Sequence, residues 1–374
     1  MIKKKKITLL LIFLFSSSIF AQYDKNSFKV ESIKYDEFIS FPYIVSSLPK
    51  NNEVANRINR SLQDILFGEG EIINRGNLNL IKEHLYIEKD NGKTQSGISS
   101  LSYTIDFYVH FLKITINTDW AGGPYPVGAE TDYLQFDLKK GELIQIPDLI
   151  DGEKYFDFLE KFWLKDCRNS IREAHQCAYG NKTGDYESQK ALTLDGECEF
   201  QCHKVNNFIL TNDSIVLSNN SNCFPHMWQN CNIGSSKKLK IKEIKEYLSD
   251  YGKWLLGFSD TYSDIKPILH FVGKIDGKYK ISMSLNISKA NNINGTYFYW
   301  KQNKLILLKG QINETKKKII LNELIDNTLT GSFELEWDDF LYSTDGFWYN
   351  SSREKKLSVK LLNIYDYSNR VYNR

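Results

Sequence analysis

The sequence predicts an α+β domain, with a mixed or antiparallel sheet and two or three helices, followed by an all-β meander that closes into a small barrel. Three observations lead there. Before residue 257, short alternating strand patterns are interleaved with stretches of helical periodicity. After residue 266 the alternation continues alone, in runs about 8–12 residues apart with Gly or Asn between them. Between the two, residues 257–266 are polar and stop at Pro267, the texture of a linker.

The first residues form a separate element. Lys3 to Lys6 precede the apolar run ITLLLIFLF at 7–15, and Ser16 to Ser18 lead to Ala21. A charged start, a short apolar core and a small residue before the cut define a secretory signal. Cleavage is expected after Ala21, leaving no transmembrane segment, because a spanning helix needs about 20 apolar residues. The expected destination is periplasmic or secreted.

Residues 22–256 carry the mixed pattern. FKVESIKY and FISFPYIV, within 26–45, alternate as strands. Over Asn52 to Phe67, Val54, Ile58, Leu62, Ile65 and Leu66 lie on one helical stripe. Residues 101–117 are rich in β-branched and aromatic side chains and predict a long strand or hairpin. Gly122-Gly123-Pro124 breaks that pattern, 132–138 resume it, and Lys140-Gly141 turns the chain. Pro147-Asp148-Leu149 leads into a helix expected from Glu153 to Ala174. Residues 207–218 read as a hairpin turning at Asn-Asp-Ser, 237–241 as a strand, and Glu243 to Tyr251 as a short helix.

The second domain is expected over 267–364, ahead of a loose tail at 365–374. Its strand runs are 278–287, 293–301, 304–312, 317–323, 329–337 and 356–363. In the first of them Tyr279, Ile281, Met283, Leu285 and Ile287 share one face. About seven strands with tight connections favour an up-and-down barrel.

Cysteine usage agrees with export. The six cysteines, Cys167, Cys177, Cys198, Cys202, Cys223 and Cys231, lie close together in sequence. In an oxidising compartment they predict local disulfides pinning an irregular insertion at about 167–202. Spacing alone leaves the connectivity open. Zinc sites pair cysteines at short spacing twice over, a pattern this chain lacks. Cys198-x-x-x-Cys202-His203 has three intervening residues where a haem-attachment motif has two. No metal and no cofactor are expected.

Charge excludes further classes. The formal charge moves from +2 to −2 once the four leader lysines are gone, so composition supplies no basic excess for nucleic acid and no polybasic face for anionic lipid. The six histidines are scattered, without a His-Glu-x-x-His run or a Gly-x-Ser-x-Gly elbow. Glu334, Glu336, Asp338 and Asp339 cluster near one strand end, where alternation marks a solvated face rather than a glycosidase pair. Trp300, Trp337 and Trp348 are read as core packing.

Several motifs also occur in a telling order: Phe41-Pro42-Tyr43, Asn56-Arg57-Ile58-Asn59, Tyr103-x-Ile105-x-Phe107, a Gly-Gly-x-x-Pro loop at Gly122 to Pro126, Phe136-Asp137-Leu138 with Lys140-Gly141-Glu142, and Pro147-Asp148-Leu149. Over roughly residues 30–250 the chain resembles the extracytoplasmic domain of lysozyme-sensing anti-sigma factors, shared with the non-catalytic part of some peptidoglycan deacetylases. The family's loop is Gly-Gly-Ala-His where this chain has Gly122-Gly123-Pro124-Tyr125, and the cysteine-bearing insertion lies outside its pattern. The all-β part is similar to a Gly-x-Tyr-x-Tyr repeat of exported bacterial proteins.

The resemblance implies an exported, non-enzymatic envelope protein whose partner is peptidoglycan or a wall-attacking protein such as lysozyme. The binding candidates are Trp120, Gly122, Gly123, Tyr125 and Pro126: adjacent glycines admit close backbone approach, and the rings supply rigid contact area. The alternatives are a small-ligand carrier using the barrel and, further off, a cell-wall hydrolase.

Overall fold

A computed structural model of the 374-residue chain describes residues 27–67, 79–85, 87–88, 94–122, 128–179, 202–203, 205, 207–219, 234–265, 268–288, 290–300, 305–337 and 343–364. The predicted leader, the tail, and Cys198, Cys223 and Cys231 lie outside these residues. Compact units divide between Ile144 and Gln145.

In the first unit, β1 (Phe28–Lys34) and β2 (Ser40–Ser46) pair antiparallel. The predicted helix is α1 (Asn52–Phe67), and Val54, Ile58 and Leu62 are buried on its inner stripe. Asn59 clamps it to β2: its Oδ1 accepts from Ile44 N at 2.7 Å, and its Nδ2 donates to Ile44 O at 2.8 Å. A buried amide satisfied on both sides fixes register as well as contact.

After α2 (Asn79–His84), β3 (Ile87–Glu88) and β4 (Thr94–Gln95) form a two-stranded pair. Then β5 (Gly97–Phe107), β6 (Phe111–Ala121) and β7 (Gly128–Asp137) build an antiparallel sheet in sequence order. Ile58, Leu62, Leu101, Leu112, Ile114 and Phe136 belong to one buried core. The Lys140-Gly141 turn is held by Asp137, whose Oδ1 accepts from Lys139 N at 3.0 Å and Lys140 N at 2.5 Å.

The second unit opens with α3 (Ile146–Leu149), then α4 (Tyr155–Phe162) and α5 (Leu164–Tyr179). One continuous helix is expected from 153, but the chain breaks at Trp163, where φ is −132°. The break lets the buried Trp163 ring donate its Nε1 proton to Cys202 O at 2.8 Å. One turn on, Cys167 forms a disulfide with Cys202. Cys177 is disulfide-bonded as well. The strands β8 (Asn207–Leu210), β9 (Ser214–Asn219) and β10 (Ser235–Lys240) form a three-stranded antiparallel sheet, followed by α6 (Ile241–Ile244) and α7 (Asp250–Leu255).

The barrel follows: β11 (Ile268–Ile275), β12 (Tyr279–Ile287), β13 (Asn292–Tyr299), β14 (Leu305–Asn313), β15 (Lys318–Ile325), β16 (Thr328–Trp337), β17 (Ser343–Asn350) and β18 (Lys356–Asn363). All neighbours are antiparallel, and β11 closes on β18. The two-residue turn Asp326-Asn327 has φ of 51° and 62°, the left-handed pair a type I′ hairpin requires. Inward residues include Phe271, Met283, Leu285, Tyr297, Leu308, Leu321, Phe333 and Leu335, all buried. An eight-stranded barrel has an interior just wide enough for such side chains to fill. Strand coiling brings neighbours very close at Gly310, where a Cβ would sit 1.9 Å from Ile320 O.

Two strands are absent from the sequence expectation. β11 is buried on both faces and reads as a continuous apolar run, while β17, STDGFWYN, starts with turn-type residues. The barrel's outer wall at β11–β13 is covered: Phe156 of α4 meets His270 and Phe298 at ring distances of 5.7 Å each, and Tyr155 meets His270 at 4.1 Å. That packing explains why the barrel and the chain from Gln145 form one compact unit, with 257–266 inside it.

Candidate functional site

Of the predicted binding loop, two residues are described. Trp120 is the penultimate residue of β6, with 40% of its surface exposed. Gly122 has φ +84°, and a Cβ there would approach Ser96 Cα to 2.8 Å, so the position demands glycine for its own fold. Gly123, Tyr125 and Pro126 lie outside the described residues.

The second unit contains a cleft of about 200 Å³. Its wall is built by α3, the turn at Asp151 to Glu153, and the start of α7, set over the outer face of β12 and β13. Local hydrogen bonds fix each element. Asp148 Oδ2 accepts from Gln145 N at 2.6 Å at the start of α3. Ser249 caps α7 by accepting from Gly252 N at 2.9 Å and donates to Asp148 O at 2.6 Å, tying the two short helices together. Gly252 permits the crossing, since a Cβ would fall 2.3 Å from Leu149 O. Asp148, Asp151, Asp250 and Asp264 contribute carboxylates, and Asn286, Asn294, Ser284 and Thr296 contribute amides and hydroxyls.

Behind the cleft, Ser284 Oγ lies 2.9 Å from His270 Nδ1. A hydroxyl beside an imidazole has the outline of a nucleophile with its base. Burial opposes that use, because desolvation holds the His270 pKa down at about 3. An imidazole this weakly basic is a poor acceptor for a serine proton at neutral pH.

A second polar centre lies inside the barrel. Glu323, buried at 5% exposure, accepts hydrogen bonds from the Tyr297 hydroxyl, from Trp348 Nε1 at 2.8 Å and from Thr330 Oγ1 at 2.7 Å. Burial and then the Glu323 charge push the Tyr297 hydroxyl far above the usual phenol range. Three donors meeting one carboxylate satisfy it internally. Trp348 therefore serves the barrel's interior, as expected. Trp300 sits elsewhere, stacked on His203 at 4.5 Å with its Nε1 donating to Ser282 Oγ.

Glu334 and Glu336 face outward, as their alternation predicts, and pair with Arg353 at 2.5 Å and Lys318 at 2.9 Å. Strand register sets Lys274 directly opposite Lys280 on one side and Lys360 on the other. Net charge conceals this row because the three lysines come from β12, β11 and β18, and only the closed register joins them.

The sequence matches no family model and no curated protein. Among solved structures it is similar to a member of the DUF3298 family from Bacteroides fragilis NCTC 9343, at 16% identity and a TM-score of 0.39, over 63% of this chain and 98% of that one. It is also similar to a DUF3298 family protein from Pseudomonas aeruginosa PAO1, at 10% identity and a TM-score of 0.33, over 60% of this chain and 92% of that one. Both likenesses are too distant to assign this chain to that family.

Proposed function

We propose that the protein is an exported, non-enzymatic binding protein that engages cell-wall material. One observation carries this reading: the cleft of the second unit brings carboxylates, amides and hydroxyls together, with no histidine, cysteine, lysine or arginine among its described lining residues. Such a surface complements the hydroxyl, amide and amino groups of wall glycans and peptides. The His270–Ser284 pair supports binding over catalysis, because its imidazole is too weak a base. The Cys167–Cys202 disulfide supports an oxidising compartment. Side chains filling the barrel favour packing over carriage of a small ligand.

The test is co-sedimentation with purified peptidoglycan, alongside capture on immobilised lysozyme. Asn294→Trp, which fills the cleft from an exposed strand position, is expected to weaken sedimentation at least tenfold with an unchanged thermal melt. Capture by lysozyme alone would replace wall material as the partner. A fluorophosphonate probe is expected to leave Ser284 unlabelled; labelling there would revive the hydrolase reading.

A further inference from the structure

We infer that the cleft of the second unit takes a primary ammonium group carried on a peptide, an inference that rests on the wall-binding reading and narrows it to one chemical group. The floor of the cleft carries the argument. Thr296 of β13 lines it and is only 6% exposed, yet its hydroxyl has no hydrogen-bond partner among the described residues. Tyr297, the next residue, belongs to the barrel's interior, so alternation turns Thr296 to the outer wall, where the cleft lies. Ser284, directly opposite on β12, differs in that its hydroxyl meets His270. Burying a hydroxyl without a partner costs stability, and valine would fill the same strand position at no such cost. Folding alone gives no reason for this hydroxyl; a ligand donor does.

The walls set the charge of that donor. Asp148, Asp151, Glu153, Asp250 and Asp264 line the cleft, with no cationic side chain among its described lining residues. Three of them have partners: Asp148 accepts from Gln145 N, Asp250 pairs with Lys253 at 3.3 Å, and Asp264 accepts from the Tyr262 hydroxyl at 3.0 Å. Half-buried Asp151 and exposed Glu153 have no ion pair among the described residues. An ionised carboxylate accepts and never donates, so a ligand anion is repelled and a neutral hydroxyl leaves the two charges unmatched. Calcium gathers six to eight oxygens at about 2.3–2.6 Å, whereas no three acids among the described residues converge as a metal site. A guanidinium calls for a carboxylate fork facing it. The three donors of an ammonium are met by separate acceptors, here the Thr296 hydroxyl with Asp151 and Glu153.

The mouth of the cleft indicates what carries the ammonium. Asn286 and Asn294 stand directly opposite on β12 and β13. Both are exposed, and neither side chain has a hydrogen bond among the described residues. Each primary amide offers donors and an acceptor side by side, the complement of a peptide unit. Asn294 lies two residues from Thr296 on the same face of β13, about 7 Å along the strand. That separation matches the reach of a lysine-like side chain from its backbone to its ammonium, with the backbone at the amide pair and the charge at the floor.

The experiment titrates the full mature chain with Nα-acetyl-lysyl-alanine amide in a calorimeter, with the Nε-acetylated peptide, the arginine counterpart and diglucosamine in parallel. The lysyl peptide is expected to bind, more weakly as salt rises. Thr296→Val and Asp151→Asn are each expected to weaken it about tenfold, the share of one charge-assisted hydrogen bond. Their thermal melts should stay level, since asparagine keeps the cap that Asp151 gives Glu153 N. Glu314→Gln, beyond the end of β14 and outside the cleft, is expected to bind as the parent does. Equal binding of the Nε-acetylated or arginine peptide overturns the ammonium assignment, and tighter binding of diglucosamine overturns the peptide as its carrier. Undiminished binding by both cleft variants, or an equal loss in Glu314→Gln, overturns the site. Sedimentation with peptidoglycan before and after acetylation of its free amines keeps this inference apart from the wall-binding reading. Loss on acetylation supports both. Equal sedimentation with the two walls leaves wall binding standing and overturns the ammonium site, whereas a bound lysyl peptide with no sedimentation does the reverse.

Discussion

His270 lies under α4 with its pKa held near 3 by burial, against about 6.5 for a histidine in water. Below pH 6.5 the unfolded chain takes up a proton that the folded chain refuses. Above 6.5 this group imposes no penalty; as pH falls from 6.5 toward 3, stability declines. One pKa unit is worth about 1.4 kcal/mol, so moving from pH 7 to pH 5 is expected to remove roughly 2 kcal/mol through this residue. Denaturant melts of the parent and of His270→Gln at both pH values check it: the variant should lose much of the slope, and an unchanged slope contradicts the assignment. Glu323 is the other residue of consequence. Its removal as Glu323→Ala leaves the buried Tyr297 hydroxyl and the half-buried Thr330 and Trp348 donors without their acceptor and is expected to cost about 3 kcal/mol, with a smaller loss for Glu323→Gln. Neither residue was legible in the sequence. His270 lies on β11, a strand absent from the sequence expectation, and Glu323 interrupts an inward face that otherwise alternates cleanly. The Gly-x-Tyr-x-Tyr run at Gly295 to Tyr299 was legible, because it places Tyr297 inward by simple alternation.

At the scale of elements, the amphipathic stripe of α1 and the alternating strands of β12 to β16 could be read directly, since each element's periodicity is local. The break at Trp163 could not, because the hydrogen bond that accompanies it reaches Cys202, far along the chain. The lysine row is hidden for the same reason: register between β18 and β11 is a property of closure. A stability prediction belongs here. Lys274→Glu converts two like-charge cross-strand contacts into attractive ones, each worth roughly 0.2–1 kcal/mol, so a rise in stability is expected. A fall of similar size in chemical denaturation would show that the row is not strained. The disulfides form a further element-level device. Mass spectrometry without reduction is expected to find no free thiol among the six cysteines, and two or more free thiols, or bound zinc, would sink that claim.

For the whole molecule, the broad order of an α+β part followed by a barrel was readable from texture alone. The grouping of parts was not. A polar stretch at 257–266 has a linker's composition, yet α4 and the Cys202–His203 segment pack on the barrel through Phe156, Tyr155 and Trp300. Outward-facing Phe298 was the available signal, as a large ring on a wall otherwise expected to meet water. Independent folding of 267–364 remains a proposal, and limited proteolysis decides it: cutting near Ser259 to Asp264 with two surviving fragments supports independence, and loss of the barrel fragment after that cut opposes it. The loop keeps its own check, in which Tyr125→Ala should weaken partner binding at least tenfold if that loop takes part. The central claim, a wall-binding protein without catalysis, is tested most directly by incubating the mature chain with fluorescently labelled peptidoglycan and separating pellet from supernatant. The account predicts that the protein sediments with the wall, less so as Asn294→Trp, and that no labelled fragments are released. A protein that stays in the supernatant, or a supernatant that gains labelled fragments over time, would contradict it.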